Sequence, residues 1–163
     1  MITLDQAKKA LEASEAKASE LGIAVTTTIV DEHGTIIAVS KMDNAFVVSP
    51  NFAYAKAYTS ATLQIGSGDL GPYMGDGKPF IFFNTLAEGQ FTGIAGGLPV
   101  SENGKVIGAI GVGGSRDVNQ DIECAQSALS VLLGHQASGT VTQTQEVGDT
   151  TPATQNSDQT QTE

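Results

Sequence analysis

Two segments of this chain share a pattern that restricts the fold more than any other feature. Each has a strand-forming run, a four-residue turn ending in glycine, and a second strand-forming run, at 30–36 and 100–106. The second turn contains Asn103 and Gly104, and an Asn-Gly pair is the strongest short-range hairpin signal. The pattern predicts two β-hairpins, one at 23–31 and 35–41 and the other at 91–100 and 105–113.

Three segments are predicted to be helices because apolar or small residues recur every three or four positions. They are 3–21, 50–64 and 118–133. Thr3, Ser49 and Asp117 are the predicted N-caps, and Gly134 is the predicted end of the last helix. Alanines at every fourth position of the second helix predict that it packs closely against a sheet.

Glycine and phenylalanine dominate the segment between the second helix and the second hairpin. Residues 65–78 are predicted to be a loop, and 79–84 are compatible with either a strand or a packed loop. The order of elements is helix, hairpin, helix, loop, hairpin, helix. This order predicts an α/β (α+β) domain with a mainly antiparallel sheet flanked by helices, of the broad profilin-like or PAS-like type.

The composition changes near His135. Residues 137–163 contain no Lys, Arg, Leu, Ile, Phe or Tyr, and Thr and Gln dominate. Such a segment cannot bury enough apolar surface to offset the entropy lost on ordering. The sequence therefore predicts one ligand-binding domain at 1–136 and a disordered, acidic, Thr/Gln-rich tail at 137–163.

The charge balance excludes several classes of protein. The chain has 8 Lys and Arg against 18 Asp and Glu, with the cations scattered, whereas nucleic-acid binding needs clustered cations. No run approaches the roughly 20 apolar residues that span a bilayer. We expect no signal peptide and a cytoplasmic location, because no basic region followed by an apolar run opens the sequence. Cys124, the only cysteine, is predicted to be a buried, inert thiol.

The segment joining the last strand to the last helix is the first candidate binding site. Gly113 and Gly114 expose backbone amides beside a helix N-terminus, and Arg116 adds a guanidinium that can hold a carboxylate. The alternative is an ordinary turn with an exposed arginine. Gly96 and Gly97 are grouped with this segment, because glycine in a strand indicates close approach of a helix or a ligand.

Three further side chains are candidates. Lys56 lies beside Tyr58 on the alanine-rich helix, where it could pair with an acidic ligand; the alternative is a surface lysine that snorkels to water. His33 lies in the first hairpin turn, where an imidazole can ligate haem iron or transfer protons. The alternative for His33 is a plain exposed turn residue.

Five segments of the chain together resemble a known family. They are 30–34, 41–45, 55–61, 96–100 and 104–114, followed by Asp121 and Ala125 on the last helix. Because these segments occur in this order, the chain resembles the GlcG/HbpS family of haem-binding or haem-degrading proteins. The resemblance covers residue 1 to about 135. It is also similar to the C-terminal domain of PduO-type corrinoid adenosyltransferases.

The resemblance implies a five-stranded, mainly antiparallel sheet flanked by helices, and homo-oligomers. It implies haem as a cofactor for some members, with degradation or sensing of haem in some of them. Many members carry a histidine where this chain has Thr35, so His33 is the candidate to replace that histidine from across the turn. Other members are linked to pathways of small hydroxy acids or diols.

The leading hypothesis is a haem- or other tetrapyrrole-binding protein in which His33 is the iron ligand. The remaining candidate ligand-binding residues are Lys56, Tyr58, Gly96, Gly97, Gly113, Gly114 and Arg116. One alternative is an enzyme or accessory protein that acts on a small hydroxy acid or a diol-pathway metabolite. Another is a non-catalytic assembly module in which the glycines serve only helix–sheet packing.

Overall fold

The computed structural model describes residues 1–138. The helices are α1 (Leu4–Glu20), α2 (Ser49–Leu63), α3 (Ser67–Leu70) and α4 (Val118–Ser138). The strands are β1 (Thr26–Asp31), β2 (Ile36–Lys41), β3 (Gly97–Glu102) and β4 (Lys105–Gly113). Helix α4 includes the first two residues of the predicted tail, and the rest of that tail, 139–163, lies outside the described residues. None of the helices described is long and apolar enough to cross a membrane.

The strands form one antiparallel sheet in the order β2-β1-β4-β3. Each predicted hairpin supplies two neighbouring strands, which confirms the antiparallel sheet with flanking helices. The expectation of five strands is wrong, since the described part of the chain forms four. Residues 79–84 fold into tight turns instead: the amides of Ile81 and Phe83 donate to carbonyls three residues earlier.

Strand β3 begins at Gly97 rather than at 91, because side chains and not a neighbouring strand hold the backbone at Thr92 and Ile94. Thr59 Oγ1 accepts the amide of Thr92 at 2.9 Å. Ser67 Oγ donates to the carbonyl of Ile94 at 2.7 Å. Two hydroxyls from helices thus replace the ladder of hydrogen bonds that a longer strand would need.

Helices cover both faces of the sheet. Helices α1 and α4 pack on one face over the larger core, which includes Ile29, Ile110, Val112 and Leu132. Helix α2 packs on the other face. Successive residues of a strand point to opposite faces. Accordingly, Thr27 hydrogen-bonds to Ser14 of α1, and its neighbour Thr26 hydrogen-bonds to Ser49 of α2.

Close packing of α2 explains several glycines of β3 and β4. A Cβ at Gly111 would overlap the main-chain carbonyl of Ala53, and a Cβ at Gly113 would lie 2.8 Å from the Cβ of Phe52. A Cβ at Gly97 would likewise overlap the main chain of α2, at the carbonyl of Lys56. At these three positions a helix, and not a ligand, makes the close approach that the glycines indicate.

The predicted helix ends have mixed outcomes. Thr3 and Gln6 form the predicted capping box at the start of α1. Ser49 is the first residue of α2 and not its cap, because its buried hydroxyl is used to bond strand β1. Gly134 does not end α4, which continues to Ser138.

Thr28 carries a buried hydroxyl that has no hydrogen-bond partner among the described residues. An unsatisfied buried hydroxyl costs about 1–3 kcal/mol, and valine has nearly the same shape without that oxygen. We expect Thr28→Val to raise the free energy of unfolding by about 1 kcal/mol, measured by urea denaturation. Thr26→Val is the control and should lower it, because the Thr26 hydroxyl is 2.7 Å from that of Ser49.

Candidate functional site

His33 lies at the tip of the β1–β2 hairpin. Asp31 Oδ1 accepts the backbone amides of His33 and Thr35 at 2.9 and 2.8 Å, which holds the turn in place. The imidazole is 80% exposed. Beneath the turn, a Cβ at Gly34 would lie only 2.5 Å from the ring of Tyr58. The His33 main chain is therefore fixed, while its side chain is exposed to a ligand, with Nε2 3.9 Å from Glu32 Oε1.

A row of aromatic rings extends from this turn across the surface. We call it the aromatic cluster; it consists of Tyr54, Tyr58, Phe91, Phe83, Phe80 and Tyr73, in spatial order. Neighbouring ring centroids are 4.6–6.1 Å apart, which is the range of stabilising aromatic contacts. The Tyr54 hydroxyl donates to the carbonyl of Gly34 at 3.3 Å. The cluster is thus joined directly to the turn that carries His33.

Most of the aromatic cluster belongs to residues 72–92, a segment between α3 and β3. The two ends of this segment lie close together and form a narrow neck. At the neck, a Cβ on Gly93 would lie 2.6 Å from the Cα of Gly71. Positive φ angles at Ala87 and Glu88 help the segment turn back on itself. Its outer surface is apolar: Phe82 is 72% exposed, and a cleft of about 250 Å³ lies between residues 79 and 86.

Lys56 is buried, so the alternative of a surface lysine is wrong. Its side chain is 2% exposed, and Nζ lies 2.7 Å from Asp121 Oδ2 and 2.8 Å from the carbonyl of Val112. Burial lowers the pKa of Lys56 and raises the pKa of Asp121, and the bond between them opposes both shifts. Gly96 lies directly beside this pair. Lys56 already has its acidic partner, and that partner is part of the protein.

The turn into α4 uses its amides internally. Asp121 Oδ1 accepts the amide of Ser115 at 3.0 Å. Ser115 Oγ accepts the amide of Asp117, and Asp117 Oδ1 accepts that of Asn119, each at 3.0 Å. The last bond confirms Asp117 as the N-cap. Arg116 is exposed and is the positively charged group of this segment.

Arg116 lies beside an open cleft of about 280 Å³, between residues 44–46 and the turn into α4. The carbon at the centre of its guanidinium group is 5.8 Å from the centre of the Phe46 ring, a cation–π arrangement. Gly114, another predicted site residue, lines the same cleft with a φ of 141°. The cleft therefore leaves room for a ligand beside Arg116, as an anion site requires.

The structure separates the predicted site residues. Thr26 of β1 pairs with Gly113, and Asp31 pairs with Gly108. The hairpin tip with His33 and the exit of β4 therefore lie at opposite ends of β1, about 17 Å apart along the strand. One end holds His33 and Tyr58, the other holds Gly113, Gly114 and Arg116, and the interior holds Lys56, Gly96 and Gly97.

Sequence reasoning assigned no role to Asp121, although a signal was present. Asp121 precedes the buried Ala125 by one helical turn, and a carboxylate on an apolar helix face indicates a buried partner. It assigned no role to Phe83 or Phe91 either. Cys124 is buried as predicted, and burial raises the pKa of its thiol to about 11.

Comparison with known proteins gives consistent results. A family model described as haem degrading protein HbpS-like matches residues 2–130. An uncharacterised 15.0 kDa protein encoded between dhaT and dhaS in Citrobacter freundii is 39% identical over 128 residues, covering 78% of this chain and 89% of that protein.

Two solved structures share the fold. The Klebsiella pneumoniae protein ORFY has a TM-score of 0.78 and 34% identity, covering 81% of this chain and 90% of its own. The PduOC–haem complex has a TM-score of 0.76 and 26% identity, covering 80% of this chain and 94% of its own. The family match over most of the described residues confirms the resemblance of the sequence motifs. The chain belongs to the HbpS-like family.

Proposed function

We propose that this protein binds haem at the surface formed by the aromatic cluster and the tip of the β1–β2 hairpin. The observation that carries the proposal is the exposed imidazole of His33 on a turn that packs against Tyr54 and Tyr58. Membership of the HbpS-like family and similarity to a haem-bound structure support the same ligand.

The residues present suit the chemistry of haem. A tetrapyrrole needs a broad apolar surface, which exposed side chains such as Phe82 and Leu86 offer beside the cluster. Its iron needs an axial ligand, which the imidazole of His33 can supply. Its acidic groups need a cation or water, and Lys78 is an exposed cation within residues 72–92. Bound haem would bring redox and oxygen chemistry to this surface.

Other predicted site residues have different roles in this proposal. Lys56 and Gly97 are interior residues that hold α2 and α4 on the sheet, and Gly113 accommodates α2. Arg116 is too far from His33 along β1 for both to contact one haem within a single chain. The proposed site therefore keeps His33 and Tyr58 and leaves Arg116 out.

We expect hemin titration to give a sharp Soret band whose position changes in the His33→Ala variant, because loss of the axial ligand alters the iron's electronic state. Thr35→Ala, in the same turn, is the matched control and should keep the wild-type spectrum. Phe82→Ser should weaken hemin binding without moving the band, since it removes only apolar contact. The measurement is absorption spectroscopy of hemin titrations.

An unchanged Soret band in His33→Ala would remove His33 from the iron. Absence of any saturable hemin binding by the wild-type protein would end the proposal altogether. Equal affinity of Phe82→Ser and the wild type would show that haem does not contact the cleft between residues 79 and 86.

The homo-oligomer remains a prediction. Exposed apolar side chains lie just before α2 and in its first turn, namely Phe46, Val47, Val48 and Phe52. Large exposed apolar patches are typical of interaction surfaces. This segment lies outside the proposed haem surface, so self-association there would leave His33 accessible.

A further inference from the structure

We propose that the cleft beside Arg116 binds small monocarboxylates that carry a short apolar body. This site is distinct from the haem surface. The cleft has a volume of about 280 Å³, which is at the lower limit of the roughly 300–1,000 Å³ typical of small-molecule sites. A ligand here is therefore small.

The charges around the cleft favour an anion. No Asp or Glu among the described residues lines it, although acidic residues outnumber basic ones by 18 to 8 in the chain. Within residues 1–138 the guanidinium of Arg116 has no ion pair. Two carboxylates follow Arg116 in the chain: Asp121 is buried against Lys56, and the exposed Asp117 accepts the Asn119 amide at the start of α4. One positive group thus lines a cleft to which no Asp or Glu of residues 1–138 contributes.

Contact with Phe46 helps to position this positive group. The ring lies 5.8 Å from the guanidinium carbon, so the side chain has a preferred place at the rim of the cleft. A restrained guanidinium loses less freedom when it binds a carboxylate through two parallel hydrogen bonds. The anion affinity comes from this side chain and not from the helix N-terminus, whose amides at Ser115, Asp117 and Asn119 are already used.

The walls of the cleft select among anions. Ile23, Ala24 and Phe46 provide apolar surface, and the neutral polar side chains are those of Asn44, Ser115 and Gln120. A single cation suits one negative charge, and the apolar surface suits a short hydrocarbon body. Inorganic phosphate, with more charge and no apolar part, matches these walls less well than a monocarboxylate does.

The test is a titration of the full chain with butyrate as the probe, monitored by ¹H–¹⁵N NMR. Butyramide is the matched neutral control, and inorganic phosphate is the alternative anion. Arg116→Gln removes the charge at an exposed position, where it leaves the fold intact. Lys105→Gln is the control variant, since it removes an exposed charge at the far end of β4.

We expect butyrate to shift the amide signals of residues around the cleft in the wild type and in Lys105→Gln. Its affinity should fall at least about tenfold in Arg116→Gln, and butyramide should not bind. His33→Ala should leave the affinity unchanged, which separates this test from that of haem binding. The proposal is overturned if butyrate causes no shifts, if Arg116→Gln binds it like the wild type, if butyramide binds equally well, or if phosphate binds more tightly than butyrate.

Discussion

Asp121→Asn is expected to lower the free energy of unfolding by about 3–5 kcal/mol, the usual cost of leaving a buried charge without its partner. The substitution keeps the shape of the side chain and an oxygen for the Ser115 amide, but it removes the negative charge 2.7 Å from Lys56 Nζ. Urea denaturation followed by circular dichroism measures the change. Lys9→Met is the control: it breaks the exposed pair with Asp5 and should cost less than about 1 kcal/mol.

A double variant separates charge from packing. Lys56→Met combined with Asp121→Asn removes both buried charges and should recover most of the lost stability, because a buried ion pair adds little over apolar contacts of similar size. If Asp121→Asn were as mild as Lys9→Met, the pair would not be buried as the structure shows. If the double variant were no better than Asp121→Asn, the loss would come from packing.

The pH dependence of Asp121→Asn gives an independent check. Burial already lowers the pKa of Lys56 below its ordinary value, and loss of Asp121 removes the main influence that raises it. Between the lowered pKa of Lys56 in the folded variant and about pH 10.4, the ordinary pKa of lysine, the unfolded state of this variant binds more protons than the folded state. Its stability should therefore rise with pH up to that value. A flat profile would show that Lys56 stays fully charged.

Gly111→Ala is expected to destabilise the fold by about 3 kcal/mol, at the upper end for overpacking, because its Cβ would overlap the main chain of α2 at Ala53. Backbone cannot rotate away as a flexible side chain does, so the whole helix must shift. Gly134→Ala is the matched control and should stabilise the fold instead. Gly134 lies in α4 with no atom of the described residues near its Cβ position, and alanine favours a helix over glycine by about 1 kcal/mol.

Thermal denaturation of the two glycine variants checks this contrast. Equal stability of Gly111→Ala and the wild type would mean that α2 lies farther from the sheet. It would also reopen the hypothesis that the glycines of β4 make space for a ligand. Loss of stability in Gly134→Ala would contradict the helical course of α4 past its predicted end.

Local features of the chain were predictable where the residues themselves carry the conformation. Asn103 and Gly104 have φ angles of 51° and 76°, values that these two residue types tolerate best. Thr3 caps α1 through atoms only three residues apart. Residues 79–84 show the limit of this reasoning: the phenylalanine-rich run was equally compatible with a strand and with a packed loop, and it forms turns whose rings contact one another.

The candidate site depended on contacts between distant residues. The sequence identified His33 and Arg116 as ligand-binding candidates but gave no distance between them. Pairing of β1 with β4 puts them at opposite ends of a strand. Likewise, Lys56 could be recognised as unusual on an alanine-rich helix, but its partner is 65 residues away.

The amino-acid sequence alone determined the hairpins, the helices and the ordered motifs of the family, because turn preferences, caps and apolar periodicity act between near neighbours. Only the tertiary structure decided what the glycines accommodate, which charge Lys56 neutralises and which candidates share a surface. These outcomes depend on strand register and on the approach of α2 to the sheet, which are set by packing between segments far apart in the chain.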